Sequence, residues 1–222
     1  MKFHAIDLDN WDRKAYFEHF LTHTRCTFSM TAIIEITELL AKLREKGIKL
    51  YPAFIYMVTN IVNSRKEFRT CFDEEGRLGY WDEMTPSFTI FHNDNQTFSN
   101  LWTEYSADFH SFYKSYLEDM KLYGDAKEMN PKKFAPKNTF PVSCIPWTSF
   151  TGFNLNIYNG GTYLLPIITS GKYFKQGDKI LLPISVQVHH AVCDGYHASQ
   201  LFDGLQRLAD RCEEWLSIME QK

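Results

Sequence analysis

The chain has 222 residues, 44% hydrophobic and 23% charged, the balance of a globular protein with a full core rather than a disordered chain. Its net charge is −3 with no basic stripe, which argues against a nucleic-acid partner, and no apolar run approaches the roughly 18 residues of a membrane span. The unusual figure is an aromatic fraction of 16%. It fits either a ring-filled core or a binding surface for a flat, partly aromatic small molecule.

Met1–Asp7 lacks the apolar region of a signal peptide, and the five cysteines (26, 71, 144, 193 and 212) contain no CxxC, so reduced thiols in a cytoplasmic protein are expected. A helix is predicted from Trp11 to about Thr22, capped by Asp9 or Asn10. Thr27 to Thr37 alternates, with Phe28, Met30, Ala32, Ile34 and Ile36 on one face, and reads as a strand. Thr37 is expected to cap a helix that stops at Gly47, and a second helix starts with Pro52 in its first turn. Short strands at Arg69–Phe72 and Leu78–Trp81 flank the turn Glu74-Glu75-Gly76, and Ser87–Asn93 is a further strand. A helix follows from about Ser106 to Tyr123, then a long loop over 130–138 that carries Phe134 and is expected to be packed. Strands are predicted near Pro141–Ser149, Phe153–Tyr158 and Tyr163–Phe174, a turn at Gly177-Asp178, and the most regular strand at Lys179–His190. A last helix runs from about Tyr196 to Met219. No repeat or linker divides the chain, so 1–222 is read as one domain. Strands and helices mix without strict βαβ alternation, which predicts an α+β fold: a large, mainly antiparallel mixed sheet covered by helices. No phosphate-binding glycine loop is present.

The chemistry concentrates in Gln187-Val188-His189-His190-Ala191-Val192-Cys193-Asp194-Gly195-Tyr196-His197, where the strongest strand meets the last helix. Strand parity puts His190 on the apolar face with Leu182, Ile184, Val186 and Val188, and His189 on the polar face with Ser185 and Gln187. A histidine leaving an apolar face is partly desolvated, which keeps it neutral and able to act as a base; it could equally be a core histidine satisfied by a carbonyl. Three catalytic readings stand side by side. His189, His190, Asp194 and His197 are all metal-ligand types, although adjacent strand residues point apart. Cys193 could be a nucleophile paired with a histidine. His190 could be a general base towards a substrate hydroxyl, with Asp194 structural.

His189-His190-Ala191-Val192-Cys193-Asp194-Gly195 is the HHxxxDG motif of CoA-dependent acyltransferases. With Asn10-Trp11-Asp12-Arg13, Tyr51-Pro52, Pro146-Trp147, Phe153-Asn154-Leu155-Asn156 and Pro166-Ile167-Ile168-Thr169, the chain resembles the type A chloramphenicol acetyltransferases over nearly its whole length. The resemblance implies a bacterial homotrimer with active sites between subunits, acetyl-CoA as co-substrate with no tightly bound cofactor, and direct acetyl transfer to the primary (C3) hydroxyl of chloramphenicol. His190 would be the base, with Nδ1 held by its own backbone carbonyl. Asp194 would pair with Arg13 as a buried ion pair, whose loss costs on the order of 3–5 kcal/mol. Ser143 would hydrogen-bond the tetrahedral intermediate, and Thr169 would hold a water beside it. Trp147, Tyr173, Tyr51, Lys172 and Lys49 would line the CoA side; Phe20, Phe28, Phe98, Phe153 and Leu155 would line the drug pocket. Some relatives carry a tyrosine at Phe20 that hydrogen-bonds the drug, so packing must do more of that work here. The competing expectations are an acyltransferase with another hydroxyl acceptor, a drug-sequestering protein without catalysis, and a metal hydrolase.

Overall fold

A computed structural model describes residues 1–158 and 160–217. Strand β1 (Phe3–Ala5) leads into a 3-10 turn at Leu8–Asn10, capped by Asp7, which accepts the Asp9 N–H at 3.1 Å. Helix α1 (Lys14–Glu18) starts later than its pattern suggests. Asp9 and Asn10 belong to the preceding turn and cap nothing in it. From His19 to His23 the chain widens into a π-helical turn, a form frequent at functional sites.

Strand β2 (Thr27–Glu35) is followed by α2 (Thr37–Glu45). Thr37 does not cap this helix: its hydroxyl accepts the Ile180 N–H at 2.9 Å. The helix stops where expected. Gly47, at φ 66°, lets its N–H reach the Arg44 carbonyl and the Ile48 N–H reach that of Leu43. Helix α3 (Leu50–Asn63) is buried almost all round, from Pro52 through Thr59, and is the central helix of the core. Strands β3 (Thr70–Phe72) and β4 (Leu78–Trp81) form a small sheet of order β1-β4-β3.

Strands β5 (Thr85–His92) and β6 (Thr97–Trp102) make a hairpin, and β6 has no counterpart among the predicted strands. Helix α4 (Phe109–Tyr123) begins at Asp108, whose carboxylate accepts the Ser111 N–H at 2.7 Å. Phe134 is not packed: it is 97% exposed, at φ 57°. Strand β7 (Thr139–Cys144) is shorter than predicted, and the stretch read as strand at Tyr163–Phe174 holds β8 (Ile167–Ser170) and the first residue of β9 (Phe174–Gln176). Residues 153–158 form no strand. Polar side chains of neighbouring strands bind this segment instead of a ladder: Ser185 donates to the Phe153 carbonyl at 2.6 Å. Strand β10 (Lys179–His189) precedes α5 (Gly195–Asp210), and a break at Arg211 (φ −108°, ψ 31°) separates it from α6 (Cys212–Leu216). The predicted helix end at Met219 lies outside the described residues.

Among the described residues the main sheet has the order β2-β10-β8-β7-β5-β6, with β9 also paired to β10. The β5–β7 and β7–β8 pairs are parallel and the others antiparallel. The fold is α+β, a mixed sheet with helices. Ile34, Leu182, Ile184, Val186, Val188, Ile168, Val142, Phe88 and Leu101 form the apolar face, joining Phe54, Val58, Leu201 and Leu205 in one core. The opposite face is polar. Thr31 lies opposite Ser185, Ser185 opposite Thr169, and Thr169 opposite Ser143, so one row of hydroxyls crosses four strands. No helix of the described residues is long and apolar enough to cross a membrane.

Candidate active site

β10 ends at His189, and the backbone turns at once: the Val192 and Cys193 N–H groups both reach the His189 carbonyl. His189 is the more buried of the two adjacent histidines, at 2% exposure, because the polar face at this end of the sheet is itself covered. Its Nδ1 accepts the Ala191 N–H at 3.1 Å, so Nε2 carries the proton and donates to the Gly161 carbonyl at 3.1 Å. Burial holds its pKa below the ordinary histidine value, against the Gly161 hydrogen bond and aided by neighbouring His190. His189 is a structural histidine.

His190 is half-buried and fixed from several sides. Its N–H donates to the Cys26 carbonyl at 2.9 Å, and its carbonyl accepts from Arg13 at 3.0 Å. Phe20 stacks on the imidazole at a centroid distance of 3.9 Å and 19° between planes, and Phe28 meets it edge-on at 5.4 Å. Nδ1 lies 3.0 Å from the Cys193 carbonyl, not from its own. A carbonyl only accepts, so Nδ1 carries the proton and Nε2 keeps a lone pair. That tautomer is the one a general base needs.

Arg13 joins the start of the chain to this turn. Its Nε donates to the Ala191 carbonyl at 2.9 Å, one terminal nitrogen to the His190 carbonyl at 3.0 Å, and the other to Asp194 Oδ2 at 3.1 Å. The expected pair therefore exists, but it is only half-buried: the side chains are 17% and 37% exposed. Solvent screening lowers its worth well below that of a fully buried pair. Burial pushes the Asp194 carboxyl up, but the Arg13 hydrogen bond and the charges of His197 and Arg13 outweigh this and hold it below its ordinary value.

Ser143 and Thr169 lie opposite each other on β7 and β8, their hydroxyls 2.8 Å apart. Thr169 is buried. This pair is remote from His190 of the same chain. Its row meets β10 at Ser185, five residues before His190, so the register separates Ser143 from His190 by roughly 17 Å along the strand and 10 Å across it.

The residues expected to line the CoA side are brought together. Lys49, Tyr51 and Trp147 line a cleft of about 490 Å³, while Tyr51, Lys172 and Tyr173 line a second of about 200 Å³. Tyr51, Cys144 and Pro146 border both clefts. Tyr51 donates its hydroxyl to the Thr89 carbonyl at 3.2 Å, and burial pushes its pKa up. The drug-side residues are dispersed. Phe20 and Phe28 surround His190. Phe98 lines the larger cleft, among residues expected to hold CoA. Phe153 packs on Phe150, and Leu155 is 45% exposed on the irregular segment.

The rival chemistries find little here. Cys193 is 1% exposed, burial drives its thiol far upward, and its sulfur faces the Glu67 carbonyl at 3.6 Å, so no thiolate nucleophile is formed. Among the described residues no three His, Cys, Asp or Glu side chains are grouped to hold a metal ion. The roles of the Cys193 and Cys26 carbonyls had no sequence signal, because any residue supplies a carbonyl.

The family model described as Chloramphenicol acetyltransferase matches residues 1–206. The chain belongs to the chloramphenicol acetyltransferase family. A chloramphenicol acetyltransferase of Clostridium perfringens is 61% identical over 97% of this chain and 99% of its own. One from Staphylococcus aureus is 50% identical over 97% of this chain and 100% of its own. A solved chloramphenicol acetyltransferase superposes with a TM-score of 0.82 at 22% identity, covering 94% of this chain and 100% of that one. The dihydrolipoamide acetyltransferase of Azotobacter vinelandii follows at TM-score 0.66 and 14% identity, over 86% and 84% of the two chains, a likeness of fold alone. Membership in this family makes the protein an acetyl-CoA-dependent acetyltransferase.

Proposed function

We propose that this enzyme is a chloramphenicol O-acetyltransferase, moving the acetyl group of acetyl-CoA to the drug's primary hydroxyl in one direct step. The observation that carries the reading is the fixed His190 tautomer, in a chain of this family. Nε2 takes the hydroxyl proton as the oxygen attacks the thioester carbonyl. The tetrahedral intermediate places its negative charge at the Ser143 hydroxyl, and collapse expels the CoA thiolate, which takes the proton from His190 Nε2 and returns the base to its neutral form. Thr169, hydrogen-bonded to Ser143, holds a water there. Pantetheine and nucleotide lie along Tyr51, Lys49, Lys172, Tyr173 and Trp147. The drug packs on Phe20, Phe28, Phe98, Phe153 and Leu155. The product no longer has the drug's primary hydroxyl, which is the route to antibiotic resistance in a bacterial cytoplasm.

The distance between His190 and Ser143 within one chain supports a site shared between subunits of a homotrimer. His190 of one copy would face the hydroxyl pair of the next. It also accounts for the dispersal of the drug-side residues, since two faces of the pocket would come from different chains. Thiol release from acetyl-CoA, dependent on chloramphenicol, tests the activity; absence of that release from the folded protein would refute it. Mixing tests the sharing. His190→Ala and Ser143→Ala, each inactive alone, should regain activity when unfolded together and refolded, because some interfaces then hold one intact copy of each residue. No recovery in mixed oligomers would place the whole site in one chain.

A further inference from the structure

His197 lies three residues past Asp194 and is tied to it in both directions. Asp194 Oδ1 accepts the N–H groups of Tyr196 at 3.1 Å and His197 at 3.4 Å, while His197 Nδ1 stands 3.2 Å from the Asp194 N–H. This is a reciprocal cap on the start of α5. Nδ1 is also 2.9 Å from Asp194 Oδ1. The two contacts ask for opposite protonation of Nδ1, but in either form the ring abuts the carboxylate. On its other side Nε2 stands 3.7 Å from Glu67 Oε1, and the side chain is only 15% exposed. A row therefore runs from Glu67 through His197 and Asp194 to Arg13, and Arg13 holds the carbonyls of His190 and Ala191.

We propose that His197 is a positioning residue for His190. By accepting the Asp194 N–H at Nδ1 it fixes the residue whose Oδ2 meets Arg13, and Arg13 in turn fixes the backbone from which the His190 ring projects. This rests on the reading of His190 as the base. A residue that only capped α5 would raise stability without touching turnover. A positioning residue acts on the rate, because a small misplacement of a base is costly in rate while substrate binding elsewhere is unaffected. The surroundings offer a direct probe. The His197 ring forms part of the wall of a cleft of about 350 Å³, along with Trp11, Arg13, Lys66, Glu67 and Val192. Removing the ring opens a path through which free imidazole can take its place.

The experiment compares His197→Ala and His197→Asn with His190→Ala. His197→Ala should lower kcat roughly tenfold and leave KM for both substrates nearly unchanged. Imidazole in the buffer should restore part of the lost rate. His197→Asn, which keeps a hydrogen-bonding side chain beside Asp194, should fall between the alanine variant and the parent. If the alanine variant does not fold, the asparagine variant carries the same comparison of kcat with KM. In an Asp194→Asn background the His197 substitution should cost nothing further. A His197→Ala protein with lowered melting temperature but full kcat would overturn the proposal, as would losses that multiply in the double variant. His190→Ala separates the two levels: turnover retained there defeats the base assignment itself, whereas turnover lost there and unaffected by His197 defeats only this inference.

Discussion

The two ends of the working surface are held together differently. At the His190 turn, hydrogen bonds to backbone carbonyls do the work. Arg13 grips two of them, the His190 N–H takes the Cys26 carbonyl, and the imidazole takes that of Cys193. At the other end, Tyr51, Phe91, Trp147 and Pro146 shape a cleft mainly by packing, with Trp147 edge-on to Phe91 at 4.5 Å. The first arrangement fixes the direction of one lone pair. The second fixes a volume. Catalysis of proton transfer needs the former and recognition of a long co-substrate needs the latter, so substitutions at the two ends should fail in different kinetic constants.

The sharpest way to break the comparison is at the lone pair. His190→Ala removes the proposed base and should lower kcat by about 10²–10⁴-fold with KM little changed and folding intact, read by thiol release and circular dichroism. Ser143→Ala comes next. It removes the donor proposed to meet the developing charge and should cost about 10²–10³-fold in kcat. Both are losses of rate rather than binding. Trp147→Ala should give the opposite pattern: KM for acetyl-CoA rises about tenfold, the effect of losing one aromatic contact, while kcat and KM for chloramphenicol stay near the parent values. A Trp147→Ala variant that lost kcat alone would show that the packed end also orients the reaction.

The same contrast marks what the sequence makes legible. Side-chain periodicity carries the packed regions: β2, α3, β10 and α5 lie where their apolar spacing puts them, because each buries one face or nearly all of itself. The HHxxxDG motif carries His190 and Asp194, and the resemblance carries Arg13. What fails is whatever depends on backbone groups or on polar cover. The tautomer of His190 is set by the Cys193 carbonyl, which no residue type announces. Residues 153–158 alternate like a strand, yet the Ser185 hydroxyl captures a carbonyl that a ladder would need. Strand β6 escapes because its buried face holds Ser99 with Leu101 while Phe98 is exposed, so its apolar residues do not share one face. The row of Ser143, Thr169 and Ser185 appears only once the strand order is known.

The smallest expected effect tests the link that supports the lone pair without touching substrate. Asp194→Asn keeps the shape of the cap on α5 but loses the charge facing Arg13. The pair is half-buried, so its loss should lower stability by about 1 kcal/mol at neutral pH. The pH dependence identifies the cause. The native Asp194 pKa lies below its unfolded value of about 3.9, so the native state favours the ionised form and the stabilisation is fully present above that pH. As pH falls through the lowered native value, the carboxylate takes up a proton and the stabilisation is lost. The difference in melting temperature between parent and Asp194→Asn should therefore be constant from neutral pH down to about 5 and shrink below about 4. A gap that stayed constant to the acid limit would assign the loss to packing of the side chain. In that case Arg13 would hold the His190 turn through its two carbonyl contacts alone.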